Sequence, residues 1–201
     1  ITGMGKPFTQ SPAEIANNAS VCDSYARDGA RLLARISPSD GPPGARILFE
    51  PLGVVLGIMP WNFPFWQTFR AAAPALMAGN TFLLKPAPNT AGCGLAMEHL
   101  FSALPVLHLL QALLIETAAV PAVIADDRIR AVTLTGSTRA GRSVAALAGA
   151  AMKPGLFELG GSDAYLVLAD ADVDRAAAIC AHSVLVNSGQ SCIAAKRFIV
   201  V

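Results

Sequence analysis

Apolar and polar positions along the chain change period repeatedly. Over residues 12–36, Ile15, Ala19, Cys22, Ala26, Leu33 and Ile36 recur near one face of a 3.6-residue repeat, which predicts a helix. The turn-rich stretch 37–44 follows, and Ile47-Leu48-Phe49 then reads as a loop or hairpin leading into a strand. Residues 53–59 are continuously apolar or glycine and predict a buried strand. A helix is expected over 65–77, stopped by Gly79. The same logic places strands at 81–84, 112–115, 131–134, 156–159 and 165–168. Helices are expected at 90–104, 118–125, 138–148 and from 172 to about 186. Unbroken apolar strands alternating with helices predict an α/β fold, Rossmann-like, with a mostly parallel doubly wound sheet covered on both faces. No internal repeat or low-complexity tract interrupts it.

Composition narrows the partners. Of 201 residues, 53% are hydrophobic and 14% charged, against about 25% charged for an average soluble domain, which excludes intrinsic disorder. Fifteen basic and 14 acidic side chains leave a net charge of +1. No block of like charges is present, so no nucleic-acid or acidic-membrane partner is expected. Mean hydropathy is +0.49. The uncharged stretch 51–69 is broken by Pro51, Pro60 and Pro64 and does not read as a spanning helix. The start shows no secretory signal pattern. The chain begins at Ile1 and stops within the apolar run Arg197-Phe198-Ile199-Val200-Val201, so it reads as a piece of a longer protein. Four cysteines, none in a C-x-x-C pair, fit a reducing, cytoplasmic setting. Three read as small buried hydrophobes. Cys192 sits in a different neighbourhood.

Five segments carry candidate chemistry. In Met59-Pro60-Trp61-Asn62-Phe63-Pro64, two prolines fix the backbone around one amide. Asn62 either caps the next helix or holds an N–H toward a developing oxyanion. In Leu84-Lys85-Pro86-Ala87-Pro88, the lysine ends a buried strand, where open α/β sheets bind ligands. The alternative is a snorkelling surface lysine. Thr135-Gly136-Ser137 opens a helix and can face a phosphate, or can be a plain strand-to-helix turn. Glu158, between Phe157 and Leu159, is expected to be a buried carboxylate of raised pKa suited to a general base, or else a salt-bridged structural residue. Asn187-Ser188-Gly189-Gln190-Ser191-Cys192 leaves backbone room around a sulfur, which is either a nucleophile or an inert thiol.

Together these motifs resemble the aldehyde dehydrogenase superfamily, and within it the succinate-semialdehyde dehydrogenase branch. The resemblance rests on Pro60-Trp61-Asn62-Phe63-Pro64, Leu84-Lys85-Pro86, Thr135-Gly136-Ser137 with Gly141, Glu158-Leu159-Gly160-Gly161 and Gly189-Gln190-Ser191-Cys192, in family order. It implies a Cys192 nucleophile, an oxyanion site of Asn62 and the Cys192 N–H, and Glu158 as the base that activates hydrolytic water. It implies a cofactor cleft of Met59, Pro60, Trp61, Lys85, Ala87, Pro88, Gly136 and Ser137. Arg70, eight residues past Asn62, matches the arginine that grips the substrate's far carboxylate. A small aldehyde is the implied substrate and a homo-oligomer the implied assembly. The implied domains are coenzyme-binding at 1–36 and 52–161, a bridging hairpin at 37–51, and the start of a catalytic domain at 162–201.

The departures matter as well. Pro88 stands where many NAD-preferring relatives carry an acidic residue, so either NAD or NADP is expected as cofactor. Residues 102–111 lack the family's Gly-Val turn. His99 and His108 match no family site and read as structural. The family's Glu-x-Phe-Gly-Pro segment is not in the sequence. The alternatives are therefore a non-catalytic remnant that at most binds nucleotide, or an acyl-CoA-forming relative. Glu158 speaks against the latter, because resolution by CoA needs no water-activating base.

Overall fold

The computed structural model describes residues 2–201. After a 3-10 turn at Phe8–Gln10, helix α1 spans Ser11–Leu32, with Pro12 in its first turn, where a missing N–H costs nothing. Strand β1 (Val54–Ile58) and helix α2 (Pro64–Met77) follow, then β2 (Thr81–Lys85), α3 (Ala91–Ser102) and β3 (Leu110–Ala112). The chain continues through α4 (Val120–Ala125), β4 (Ile129–Thr135), α5 (Thr138–Ala150) and β5 (Gly155–Glu158). It ends in β6 (Asp163–Val167), α6 (Val173–Leu185) and β7 (Ala195–Val200).

Strands β3-β2-β1-β4-β5 form one wholly parallel sheet in that order. The chain runs outward from β1 to β3, returns to β4 and runs outward again. The order therefore reverses between β1 and β4, and the carboxyl ends of those strands open a crevice there. The period-2 pattern shows why both faces are covered. Val55 of β1 packs with Phe69, Ala72 and Met97 from α2 and α3, whereas its neighbour Leu56 packs with Val120, Ile124 and Val144 from α4 and α5. Gly57 is required by close approach: a Cβ there would lie 2.2 Å from the Phe82 ring.

The expected doubly wound fold is present, with three differences of detail. Residues 165–168 were expected as a strand, and β6 there pairs in parallel with β7 in a separate two-stranded sheet, with α6 as the crossover. The closing apolar run, not predicted as a strand, is thus β7. Residues 37–51 form no ladder beyond one antiparallel bridge, Ile36 to Ile47, because Pro38, Pro42 and Pro43 withhold donors. Strand β3 starts two residues earlier than expected, after a turn in which His108 adopts φ 61°. Among the described residues no helix is long and apolar enough to cross a membrane. The four cysteines are free.

Candidate active site

The turn after β1 carries Asn62. It is not the cap of α2: the N-cap position is Phe63, and no side chain at that position bonds the helix. The cap comes from α1. Glu14 Oε1 accepts the Phe65 N–H at 2.9 Å and the Trp66 N–H at 3.0 Å, which satisfies two of the donors every helix start leaves free. The other oxygen of Glu14 pairs with Lys6, both side chains being buried. The Lys6 ammonium also sits 4.0 Å from the centre of the Phe63 ring. The Asn62 amide is thereby free to turn toward the second loop, and its Nδ2 donates to the Gln190 carbonyl at 2.9 Å.

That second loop, 186–194, holds Cys192. It begins with three successive left-handed residues, Asn187 (φ 55°), Ser188 (φ 57°) and Gly189 (φ 77°). This conformation is natural for glycine and tolerable for asparagine. Cys192 is partly buried and lines a cavity of about 660 Å³ with Gln10, Trp66, Arg70, Tyr165 and His182. The Cys192 carbonyl accepts from Lys196 Nζ at 2.8 Å, and the same ammonium donates to the Gly161 carbonyl at 2.7 Å. One lysine thus ties the Cys192 loop to the Glu158-Leu159-Gly160-Gly161 segment. Elsewhere in the chain, burial pushes the thiols of Cys22 and Cys93 above their ordinary pKa, with Asp23 adding to the effect at Cys22.

Glu158 requires a correction. The sequence suggests a buried carboxylate; in the structure its side chain is 52% exposed. It closes β5, the edge strand of the sheet, and among the described residues nothing covers that end. Its partner is Arg70, whose Nη2 lies 3.4 Å from Glu158 Oε2. Arg70 therefore reaches both the Cys192 cavity and the carboxylate proposed as base.

The residues expected to line a cofactor cleft gather at the carboxyl edge of the sheet. Lys85 is 5% exposed, so it is not a surface lysine, and no carboxylate among the described residues pairs with it. The Lys85 carbonyl accepts the Met59 N–H at 3.1 Å, which locks the start of the Pro60-Trp61-Asn62 turn to β2. Ala87 and Pro88 lead into a 3-10 turn, and Pro88 is exposed. Trp61 is 40% exposed beside the crevice mouth. Ser137 caps α5, its hydroxyl accepting the Ala140 N–H at 3.2 Å. The Gly136 N–H donates to the Glu158 carbonyl at 2.9 Å. A Cβ at Gly136 would touch only Leu134, at 3.5 Å, and otherwise stand in open crevice. A buried, unneutralised ammonium and a side-chain-free turn at the start of a helix fit the ribose and phosphates of a dinucleotide. At Gly141 a Cβ would lie 2.5 Å from Leu159, so glycine lets α5 close on the segment that follows β5.

Sequence reasoning missed Lys6, Gln10, Glu14 and the part played by Asn187. One signal was available for Glu14. If Asn62 is turned to other work, Phe63-Pro64 leaves α2 without a capping side chain of its own, so the cap must come from elsewhere in the chain.

Residues 1–201 match the aldehyde dehydrogenase family along their whole length. A probable succinate-semialdehyde dehydrogenase [NADP(+)] of Synechocystis sp. is 48% identical over 198 residues, covering 98% of this chain and 44% of that protein. A succinate semialdehyde dehydrogenase [NAD(P)+] of Escherichia coli strain K12 is 45% identical over 201 residues, covering 98% and 43%. The crystal structure of succinic semialdehyde dehydrogenase from Streptococcus pyogenes, in complex with NADP+, superposes with a TM-score of 0.91 at 38% identity, covering 98% of this chain and 44% of that one. The chain thus spans less than half the length of these relatives. The doubly wound sheet, the motifs at its carboxyl edge and a family match over every residue lead to one conclusion: the chain belongs to the aldehyde dehydrogenase family.

Proposed function

We propose that the protein carrying this chain oxidises an aldehyde to a carboxylic acid with NAD or NADP, and that its substrate is succinate semialdehyde. The observation that carries the reading is the 2.9 Å bond from Asn62 Nδ2 to the Gln190 carbonyl. It holds an amide donor two residues from Cys192, at a cavity whose wall also carries Arg70.

The Cys192 thiolate adds to the aldehyde carbon and forms a C–S bond, while the carbonyl oxygen takes the negative charge. The second N–H of the Asn62 amide and the Cys192 backbone N–H stabilise that oxyanion. Lys85, Gly136 and the Met59-Pro60-Trp61 turn, with Ala87, Pro88 and Ser137 around them, would hold the dinucleotide, which would supply the hydride acceptor that turns the Cys192 adduct into a thioester. Glu158 then takes a proton from water, the water oxygen attacks the acyl carbon, and the C–S bond breaks to release the carboxylic acid and the thiolate. Splitting one oxidation into acylation and hydrolysis lowers the barrier to each. Arg70 holds the substrate's far carboxylate, since a guanidinium can give it two parallel N–H bonds.

In this reading residues 1–36 and 52–161 form the coenzyme-binding unit, 37–51 a bridge between subunits of a homo-oligomer, and 162–201 the start of the catalytic unit. The free thiols suit a cytoplasmic enzyme. Cys192→Ala in the full-length protein is expected to abolish aldehyde oxidation and leave NADP+ affinity within about twofold. Turnover at the parent rate by that variant would refute the assignment.

A further inference from the structure

We infer that Asn187 is a positioning residue that clamps the oxyanion turn to the nucleophile loop. This rests on the roles proposed for Asn62 and Cys192. Asn187 is 1% exposed and lies in the left-handed region at φ 55°, ψ 37°. Its side-chain amide donates to two carbonyls, that of Asn62 at 2.8 Å and that of Gln190 at 3.2 Å. These belong to the two loops that must stay in register, separated by 125 residues in sequence. The Gln190 carbonyl is also the acceptor for Asn62 Nδ2, so the Asn187 amide and the Asn62 amide meet on one oxygen.

The clamp is held from behind. The Asn187 N–H donates to Gln10 Oε1 at 2.7 Å, and the Asn187 carbonyl accepts from the Gln190 side chain at 3.2 Å and the Gln190 backbone at 3.1 Å. The side-chain oxygen of Asn187 is buried without a partner. What the site uses is therefore the donor end of the amide. The residue type follows from these demands. Asparagine tolerates the left-handed backbone better than other non-glycine residues, and its NH2 offers the two donors needed. Without the clamp, the Asn62 carbonyl loses its partner and the turn carrying the oxyanion donor is free to shift. A displacement of about 1 Å in such a site costs on the order of a hundredfold in rate.

Two variants separate the backbone from the amide. Asn187→Gly keeps the left-handed backbone without strain and removes both donors. Asn187→Asp keeps the shape and sets a carboxylate oxygen against two carbonyl oxygens. Hydrogen exchange followed by mass spectrometry in the full-length protein should show peptides covering 59–66 and 186–194 exchanging at least about tenfold faster together in Asn187→Gly, with β1 and β4 unchanged. Protection in both segments equal to wild type would overturn the clamp.

Pre-steady-state NADPH formation supplies a readout that a space-filling role would not give. The acylation rate should fall about tenfold in Asn187→Gly and further in Asn187→Asp, with KM for NADP+ nearly constant. A milder effect from the isosteric aspartate than from glycine would overturn the inference. If Asn187→Asp loses protection throughout, the decision rests on Asn187→Gly, whose backbone is unstrained. If Asn62→Ala leaves acylation intact, the oxyanion role of Asn62 fails, while the exchange result still decides the clamp.

Discussion

At the residue scale, the ion pair between Arg70 and Glu158 joins two roles that the sequence suggested separately. Its separation is 3.4 Å, with side chains 38% and 52% exposed, and an exposed pair of that kind contributes no more than about 1 kcal/mol. Stability is thus a poor reason for an arginine on an otherwise apolar helix face, and a ligand is the better one. Arg70→Ala is expected to shift the melting temperature by no more than about 3 °C. It should raise KM for succinate semialdehyde roughly 10–100-fold, the range set by losing charged hydrogen bonds worth about 1.5–3 kcal/mol. An uncharged aldehyde of similar length should lose little, and equal losses for both substrates would make the arginine structural. The thiols give a second test. Burial raises the pKa of Cys22 and Cys93, so the folded state favours their neutral form. Their contribution to stability is complete below the unfolded pKa and is lost as pH rises through the raised values. At pH 8, iodoacetamide should therefore modify Cys192, which faces the cavity, before Cys22 and Cys93, as read by peptide mass spectrometry. Prior labelling of Cys22 or Cys93 would contradict this.

At the element scale, the cap of α2 shows where local sequence stops being informative. The helix itself was legible from the apolar run after Pro64, and its end from Gly79, which adopts φ 84°. Its N-terminal donors are satisfied by a residue about 50 positions away in sequence, which no window around residue 64 can reveal. The Lys6–Glu14 pair is buried on both sides. Removing one partner of such a pair costs about 3–5 kcal/mol, whereas replacing both by apolar groups of similar volume is often neutral. Glu14→Gln is therefore expected to lower the melting temperature by roughly 6–20 °C, at about 2–4 °C per kcal/mol for a chain of this size. Lys6→Met combined with Glu14→Gln should recover part of that loss, because no charge is left stranded. A double variant less stable than Glu14→Gln alone would show that the Lys6 contact with Phe63, rather than the ion pair, carries the stabilisation. The segment 37–51, read as a loop or hairpin, is a related case. Ile47, Leu48 and Phe49 suit a strand, but pairing depends on a partner. Among the described residues only Ile36 supplies a bridge, and all three side chains are exposed.

At the scale of the whole molecule, the doubly wound half was legible because its central strands β1, β2 and β4 are buried along most of their length, so burial wrote itself into unbroken apolar runs. The last 40 residues were less so. The β6-α6-β7 unit has the same composition but little cover. Helix α6 has no buried residue, and β7 has only Ala195. Leu166, Leu168, Ile179, Leu185, Phe198 and Val200 are exposed. The same shortage of cover explains why Glu158, an inward-looking residue on sequence grounds, stands in the open at the sheet edge. An apolar surface of this extent marks an interaction site or an aggregation liability, and the relatives matched are more than twice as long as this chain. We expect the 201-residue chain, produced alone, to behave as two regions of unequal stability. Amides of β1, β2 and β4 should be protected up to the global unfolding free energy, while those of β6, α6 and β7 exchange through local opening. An apolar dye should bind strongly, and concentration should drive self-association. Aldehyde oxidation should stay below about 1% of the full-length rate, because the loop holding Cys192 is anchored on the weaker region: Lys196 and Arg197 of β7 bond the carbonyls of Gly161, Ser162 and Cys192. Opening of β7 releases those ties, and the Cys192 cavity loses one wall. Uniform protection across all seven strands, together with full-length turnover by the 201-residue chain, would show that the unit is stable without further cover and that the site is complete within these residues.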